Sequence, residues 1–153
     1  MSKNLVIVPY CLETGRLFGE ERRETCFVSI HASAEQREIY DHAIQPTVEE
    51  AGFRCVRLDE ASDASAITER VIEYIRNSFC VIADLTDMNP TVVYQVGVAH
   101  ALQKPVILLS QHQSHPFEVS MHRHIRYERQ FRGVEPLRKS LRDALRELHA
   151  ARR

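Results

Sequence analysis

The feature that most constrains this chain is a repeated alternation: short strand-like runs, each followed by a stretch whose apolar residues fall at helical spacing. Residues 25–30 (TCFVSI) form a nearly continuous apolar run, the pattern of a strand covered on both faces. Across 34–51, Ile39, Ala43, Ile44, Thr47, Val48 and Ala51 keep helical spacing, with Ser33 able to cap the start. Gly52 sits where a helix stops on a left-handed residue, and Pro46 inside the pattern predicts a kink or a break. Residues 53–58 read as a second strand. Ile67, Val71, Tyr74, Ile75 and Ser78 then mark one face of a second helix, with Asp63 or Ser65 as its cap. A third strand over 79–83 ends at Asp84. Asn89-Pro90 opens the next helix, which should run to about Leu102, because Asn caps and Pro loses nothing at the first helical position. Residues 105–110 make a fourth strand, 125–127 a short fifth, and 137–148 a closing helix with Leu137, Leu141, Leu145 and Leu148 in register.

Strand alternating with helix means right-handed crossovers and a parallel sheet clothed by helices on both faces. The expectation is a flavodoxin-like, three-layer α/β domain with strand order 2-1-3-4-5. It should occupy residues 24–153, preceded by an N-terminal segment, 1–23, that offers either an extra edge strand at residues 5–8 or a contact for a partner. With 153 residues, 44% of them apolar, the chain can close one substantial core.

Charge and composition exclude several classes. A formal net charge of -1 argues against a dedicated nucleic-acid binder. No apolar run approaches the roughly 18–20 residues needed to cross a bilayer, and the N-terminus lacks a signal-peptide pattern, so no membrane partner is expected and the cytoplasm is the expected compartment. Cys11, Cys26, Cys55 and Cys80 include no CxxC pair, and three of them lie in apolar strand-like runs; reduced, buried thiols are expected. His112, His115, His122 and His124 crowd one loop region, yet no cysteine completes a usual zinc set, and no metal is expected there.

Ligands of open parallel sheets bind outside the carboxyl ends of the strands, near the point where strand order reverses. Those ends carry Ser29 and His31, then Asp59, Asp84 and Ser110. The loop over 30–35 has no glycine, so it is no dinucleotide-binding turn; no Walker lysine motif exists, and no cofactor is expected. No acidic pair follows the first strand, which disfavours a metal-holding receiver domain. Asp84 can hold a ligand hydroxyl or cap its own loop. Ser29 and His31 can face a base or phosphate beside the opening of the first helix, where anions are favoured, or serve as ordinary loop residues. Asp59 can contact a ligand beyond the second strand or belong to a turn. Beyond Asn89, Thr91, Gln95 and Val98 share one stripe near a helix N-terminus, so Gln95 is either a pocket residue or a packed side chain bonded to a neighbouring loop. The arginines between Arg123 and Arg132 can meet phosphate or form a solvated face.

The segment from Ala83 to Leu108 resembles the signature of nucleoside 2-deoxyribosyltransferase-like domains, fold relatives of the TIR-type nucleotide hydrolases. The matching residues are Ala83-Asp84-Leu85-Thr86, Asn89-Pro90, Val92, Tyr94, Gly97, Ala99-His100-Ala101-Leu102 and Lys104-Pro105-Val106-Ile107-Leu108. The likeness continues at Pro116-Phe117-Glu118, Arg123, Ile125 and Tyr127, and covers about residues 25–148. It implies an N-glycosidase or glycosyltransferase acting on the base–ribose bond of a nucleotide or of nicotinamide adenine dinucleotide. It also implies substrate contacts from Asn89, Tyr94 and Arg123. Such domains often form homo-oligomers, and some serve bacterial antiviral defence.

One departure bears on chemistry. The resemblance implies a nucleophilic glutamate at the position held by Gln95, with Asp84 as its companion. A carboxylate can attack the anomeric carbon and stabilise the positive charge that develops on the sugar; an amide does neither well. Gln95 nearly matches glutamate in shape, so binding without turnover is the expectation. Two origins stay open: a natural non-catalytic chain, or a replacement made to trap a complex. A nucleotide sensor or assembly module is the rival reading.

Overall fold

A computed structural model describes residues 25–58, 64–112, 123–129 and 134–152. The N-terminal segment, Asp59, His115 and His122 therefore lie outside the described residues. Five strands, β1 (Thr25–Ser29), β2 (Arg54–Val56), β3 (Cys80–Asp84), β4 (Val106–Ser110) and β5 (Arg123–Arg126), form one sheet in the order β2-β1-β3-β4-β5. Every pairing is parallel; Cys26 stands opposite both Cys55 and Cys80, and Ser29 opposite Ala83. This is the expected flavodoxin-like order, and β1, β3 and β4, whose residues are all buried, are internal.

Each strand alternates its side chains between two apolar layers. Cys26, Val28, Ile82, Ile107, Leu109 and Ile125 face one layer, packed with Ile44, Leu141 and Leu145 from helices on that side. Phe27, Val81, Ala83 and Leu108 face the other, with Val71 and Ile75 of α3 (Ala64–Asn77) and Val92 and Val96 of α4 (Pro90–Ala101). The closing helix α5 (Val134–Ala151) buries Leu137, Leu141, Ala144 and Leu145 in the first layer.

The segment expected as one helix over 34–51 is three pieces: α1 (Ala34–Ile39), a π-helical turn (Tyr40–Ile44) and α2 (Gln45–Glu50). Pro46 is the cause. Lacking an N–H, it cannot continue the ordinary ladder, and the turn before it widens so that the Gln45 N–H reaches the Tyr40 carbonyl. Gly52, at φ 88°, ends α2: the Gly52 N–H bonds to the Glu49 carbonyl and the Phe53 N–H to that of Val48. The same arrangement closes α4, with Gln103 in the left-handed position at φ 54°. The second strand is shorter than expected, three residues on an edge.

Candidate functional site

Strand order reverses between β1 and β3, and the residues around their carboxyl ends come from three elements. Ser29 closes β1 and is 2% exposed; Gln95, 9% exposed, lies on the sheet-facing side of α4. The Ser29 hydroxyl donates to the Gln95 side-chain oxygen, Oε1. Gln95 makes no other hydrogen bond among the described residues. α4 starts at this end of the sheet because it follows the carboxyl end of β3, and Asn89 caps it, its side-chain oxygen accepting the Thr91 N–H at 2.9 Å and the Val92 N–H at 3.4 Å. One function of Asn89 is thus structural, and Pro90 begins the helix behind it.

Asp84, 3% exposed, ends β3, the strand beside β1. Its Oδ1 accepts the Thr86 N–H at 2.8 Å and its Oδ2 accepts the Tyr127 hydroxyl at 2.6 Å. Gln111 extends the network: its side-chain amide donates to the Tyr127 hydroxyl at 3.2 Å and its backbone N–H to Thr86 Oγ1 at 3.1 Å. Burial is the largest influence on Asp84 and holds its carboxyl above the ordinary carboxylate value, against the bonds from Thr86 and Tyr127. The Tyr127 phenol is pushed up by burial first and by the Asp84 charge second. Both donors to Asp84 favour its charged form, so the network supplies locally what water would have supplied.

At the rim, His31 Nδ1 lies 3.5 Å from Asp87 Oδ2, an ion-pair distance, not a hydrogen bond. His31 follows β1 and Asp87 follows β3, so the pair spans the switch point. Farther out, Arg129 and Glu35 pair at 2.6 Å between the end of β5 and the first turn of α1.

The residues expected from sequence converge only in part. Ser29 and Gln95 touch; Asp84 stands in its own network; His31 lies at the rim. Tyr94 is 52% exposed and belongs to the outward face of α4. Arg123 opens β5 opposite Ile107, about 10 Å of strand short of its carboxyl end. Ser110 is fully buried, and its hydroxyl accepts the His112 N–H at 2.9 Å. Thr86, Gln111 and Tyr127 were not singled out as site residues. Thr86 and Tyr127 do fall on the quoted motif, whereas Gln111 carries no sequence signal. Among the described residues no three of His, Cys, Asp and Glu converge as a metal site, and no helix is long and apolar enough to cross a membrane. A wide groove of about 1260 Å³ runs between α2 and α5, lined by Glu50, Phe53, Arg142 and His149 among others, well away from Gln95.

Chemically, the carboxyl ends of β1 and β3 bring together a buried acid held by two donors, a neutral amide held by one, and a helix N-terminus whose dipole favours negative charge. Its fold is similar to that of a CMP N-glycosidase from Clostridium botulinum, at 19% identity over 76% of this chain and 97% of that one, with a TM-score of 0.57. A 2-deoxyribosyltransferase from Bacillus psychrosaccharolyticus is similar at 14% identity over 66% of this chain and 85% of that one, with a TM-score of 0.53. No curated protein sequence matches. At these identities the structural likeness speaks to the fold. The family model for nucleoside 2-deoxyribosyltransferase, however, matches residues 14–134, most of the chain. By that match this protein belongs to the nucleoside 2-deoxyribosyltransferase family.

Proposed function

We propose that this domain binds a nucleotide, or nicotinamide adenine dinucleotide, in the crevice between β1 and β3 and acts in the cytoplasm. Position 95 would face the base–ribose bond, as a member of the N-glycosidase class requires. The observation that carries this reading is the Ser29–Gln95 hydrogen bond at the switch point, beside the N-terminus of α4. Asp84 would form the floor under the ligand, with His31, Asn89 and Tyr94 around it; Asp59 and Arg123 are further contacts proposed from sequence. Because Gln95 is an amide, the chain as it stands would bind its ligand and cleave it negligibly.

A second reading is a sensor that binds without cleaving and signals by assembly. It draws on α4, which contains no Asp, Glu, Lys or Arg yet leaves Pro90, Thr91, Tyr94, Gly97 and Ala101 exposed. An uncharged outward face is unusual for a solvent-exposed helix and suits a second copy of the chain. Incubating the chain and Gln95→Glu with CMP, other nucleotides, deoxynucleosides and the dinucleotide, and following base release by chromatography, separates the two. Release by the Glu form alone supports the glycosidase reading. A Glu form that folds and binds but releases nothing favours the sensor.

A further inference from the structure

We infer that Ser29 locks the Gln95 amide with its nitrogen toward the crevice, so that position 95 selects a ligand presenting a sugar oxygen as acceptor. The favoured ligand is then an intact ribonucleoside or ribonucleotide over its 2′-deoxy counterpart. This rests on the nucleotide reading above and adds to it the polarity of the contact.

The case starts from counting protons. A serine hydroxyl has one, and Ser29, almost sealed at the end of β1, donates it to Gln95 Oε1. The amide is planar, so fixing the oxygen on Ser29 directs Nε2 to the opposite side. Its two N–H groups meet no acceptor among the described residues. The nearby carboxylates are otherwise engaged: Asp84 takes Thr86 and Tyr127, and Asp87 stands beside His31. A nearly buried donor without an acceptor is costly, and a site built around one rejects ligands that leave it unpaired.

A group placed to meet the anomeric carbon lies beside the sugar 2′ position. A 2′-hydroxyl can accept from the Gln95 nitrogen; a 2′-hydrogen cannot, and a 2′-ammonium sets donor against donor. Glutamate at 95 would keep the Ser29 bond on one oxygen and turn the other into an acceptor. One side-chain atom thus decides whether a 2′-ammonium fits, while a 2′-hydroxyl, able to donate or accept, fits both forms.

The test measures binding by calorimetry to the four common ribonucleoside 5′-monophosphates, their 2′-deoxy counterparts and their 2′-amino-2′-deoxy analogues at a mildly acidic pH that protonates the amine. The chain should prefer 2′-hydroxyl over 2′-deoxy by about tenfold and reject the ammonium. Gln95→Glu should bind the ammonium at least as well as the hydroxyl. Ser29→Ala, with fold checked by circular dichroism, should lose most of the preference, because the freed amide can turn its oxygen outward; a serine that only supported the fold would leave the ratio unchanged. Equal binding of ribo and deoxy ligands, or of ammonium and hydroxyl, by the unaltered chain overturns the inference while leaving the nucleotide reading intact. Binding of neither these nucleotides nor nicotinamide adenine dinucleotide, titrated alongside, by either form removes both.

Discussion

Tyr127, just beyond β5, donates its hydroxyl to Oδ2 of Asp84 at the end of β3, at 2.6 Å, across the intervening strand β4. One bond therefore ties the end of β5 to the end of β3 beside the switch point. Tyr127→Phe leaves a buried carboxylate short of a donor and should lower stability by about 1–3 kcal/mol. Urea unfolding of both forms reads this directly; an unchanged midpoint would mean that water replaces the phenol.

The raised pKa of Asp84 has a definite sign in stability. Its native carboxyl holds a proton more tightly than the unfolded one, so its contribution favours the folded state in acid and is lost as pH rises from the unfolded value through the native one. In Asp84→Asn that component should vanish. Unfolding midpoints compared over a pH series should show the difference between the two forms changing across that window and flat above it.

Gln95→Glu, besides its effect on base release, should carry a stability cost. The new carboxylate would stand where Gln95 is 9% exposed, with the Ser29 hydroxyl as its donor among the described residues. A loss of about 1–2 kcal/mol follows from partial desolvation. The restored rate is expected to exceed that of the unaltered chain by about three orders of magnitude or more, roughly 4 kcal/mol of barrier. Thermal unfolding and single-turnover base release measure the two effects separately.

Gln103 ends α4 in a left-handed conformation that costs a residue with a side chain about 1 kcal/mol or more. Gln103→Gly should stabilise the domain by about 0.5–1 kcal/mol, the gain being reduced by the freedom glycine adds to the unfolded chain. Chemical denaturation would show a higher midpoint at unchanged slope.

Cys26 and Cys80 place their sulfurs 3.5 Å apart in the core as free thiols. The hydrogen bond to Cys80 and then burial push the Cys26 thiol far up, while burial pushes that of Cys55 up to about 11. Cys26 and Cys80 are fully buried and Cys55 is not, so among these three a thiol reagent should label Cys55 first and reach the other two only on unfolding. Mass mapping of the modified peptides against time checks the order.

The sheet was legible in the chain because burial on both faces leaves an unmistakable mark: β1, β3 and β4 are runs that tolerate almost no charge, separated by helix-period segments. The α4 cap was equally legible, since Asn89-Pro90 acts through local backbone chemistry that needs no partner. Pro46 announced a kink or a break, and only the structure shows its form, a π-helical turn between two short α-helices. Gln95 stood out as one polar residue in an apolar helix face. Which atom of Gln95 Ser29 would hold, and that Asp84 would take Tyr127, was not legible, because each bond joins elements far apart in sequence and no local periodicity reports it. Sequence alone determined which faces must be buried, and with them the order of layers, since hydrophobic burial acts residue by residue. Only the tertiary structure decided which hydrogen-bonding atoms face one another in the crevice, because a directional bond exists only once both partners have been brought to within about 3 Å.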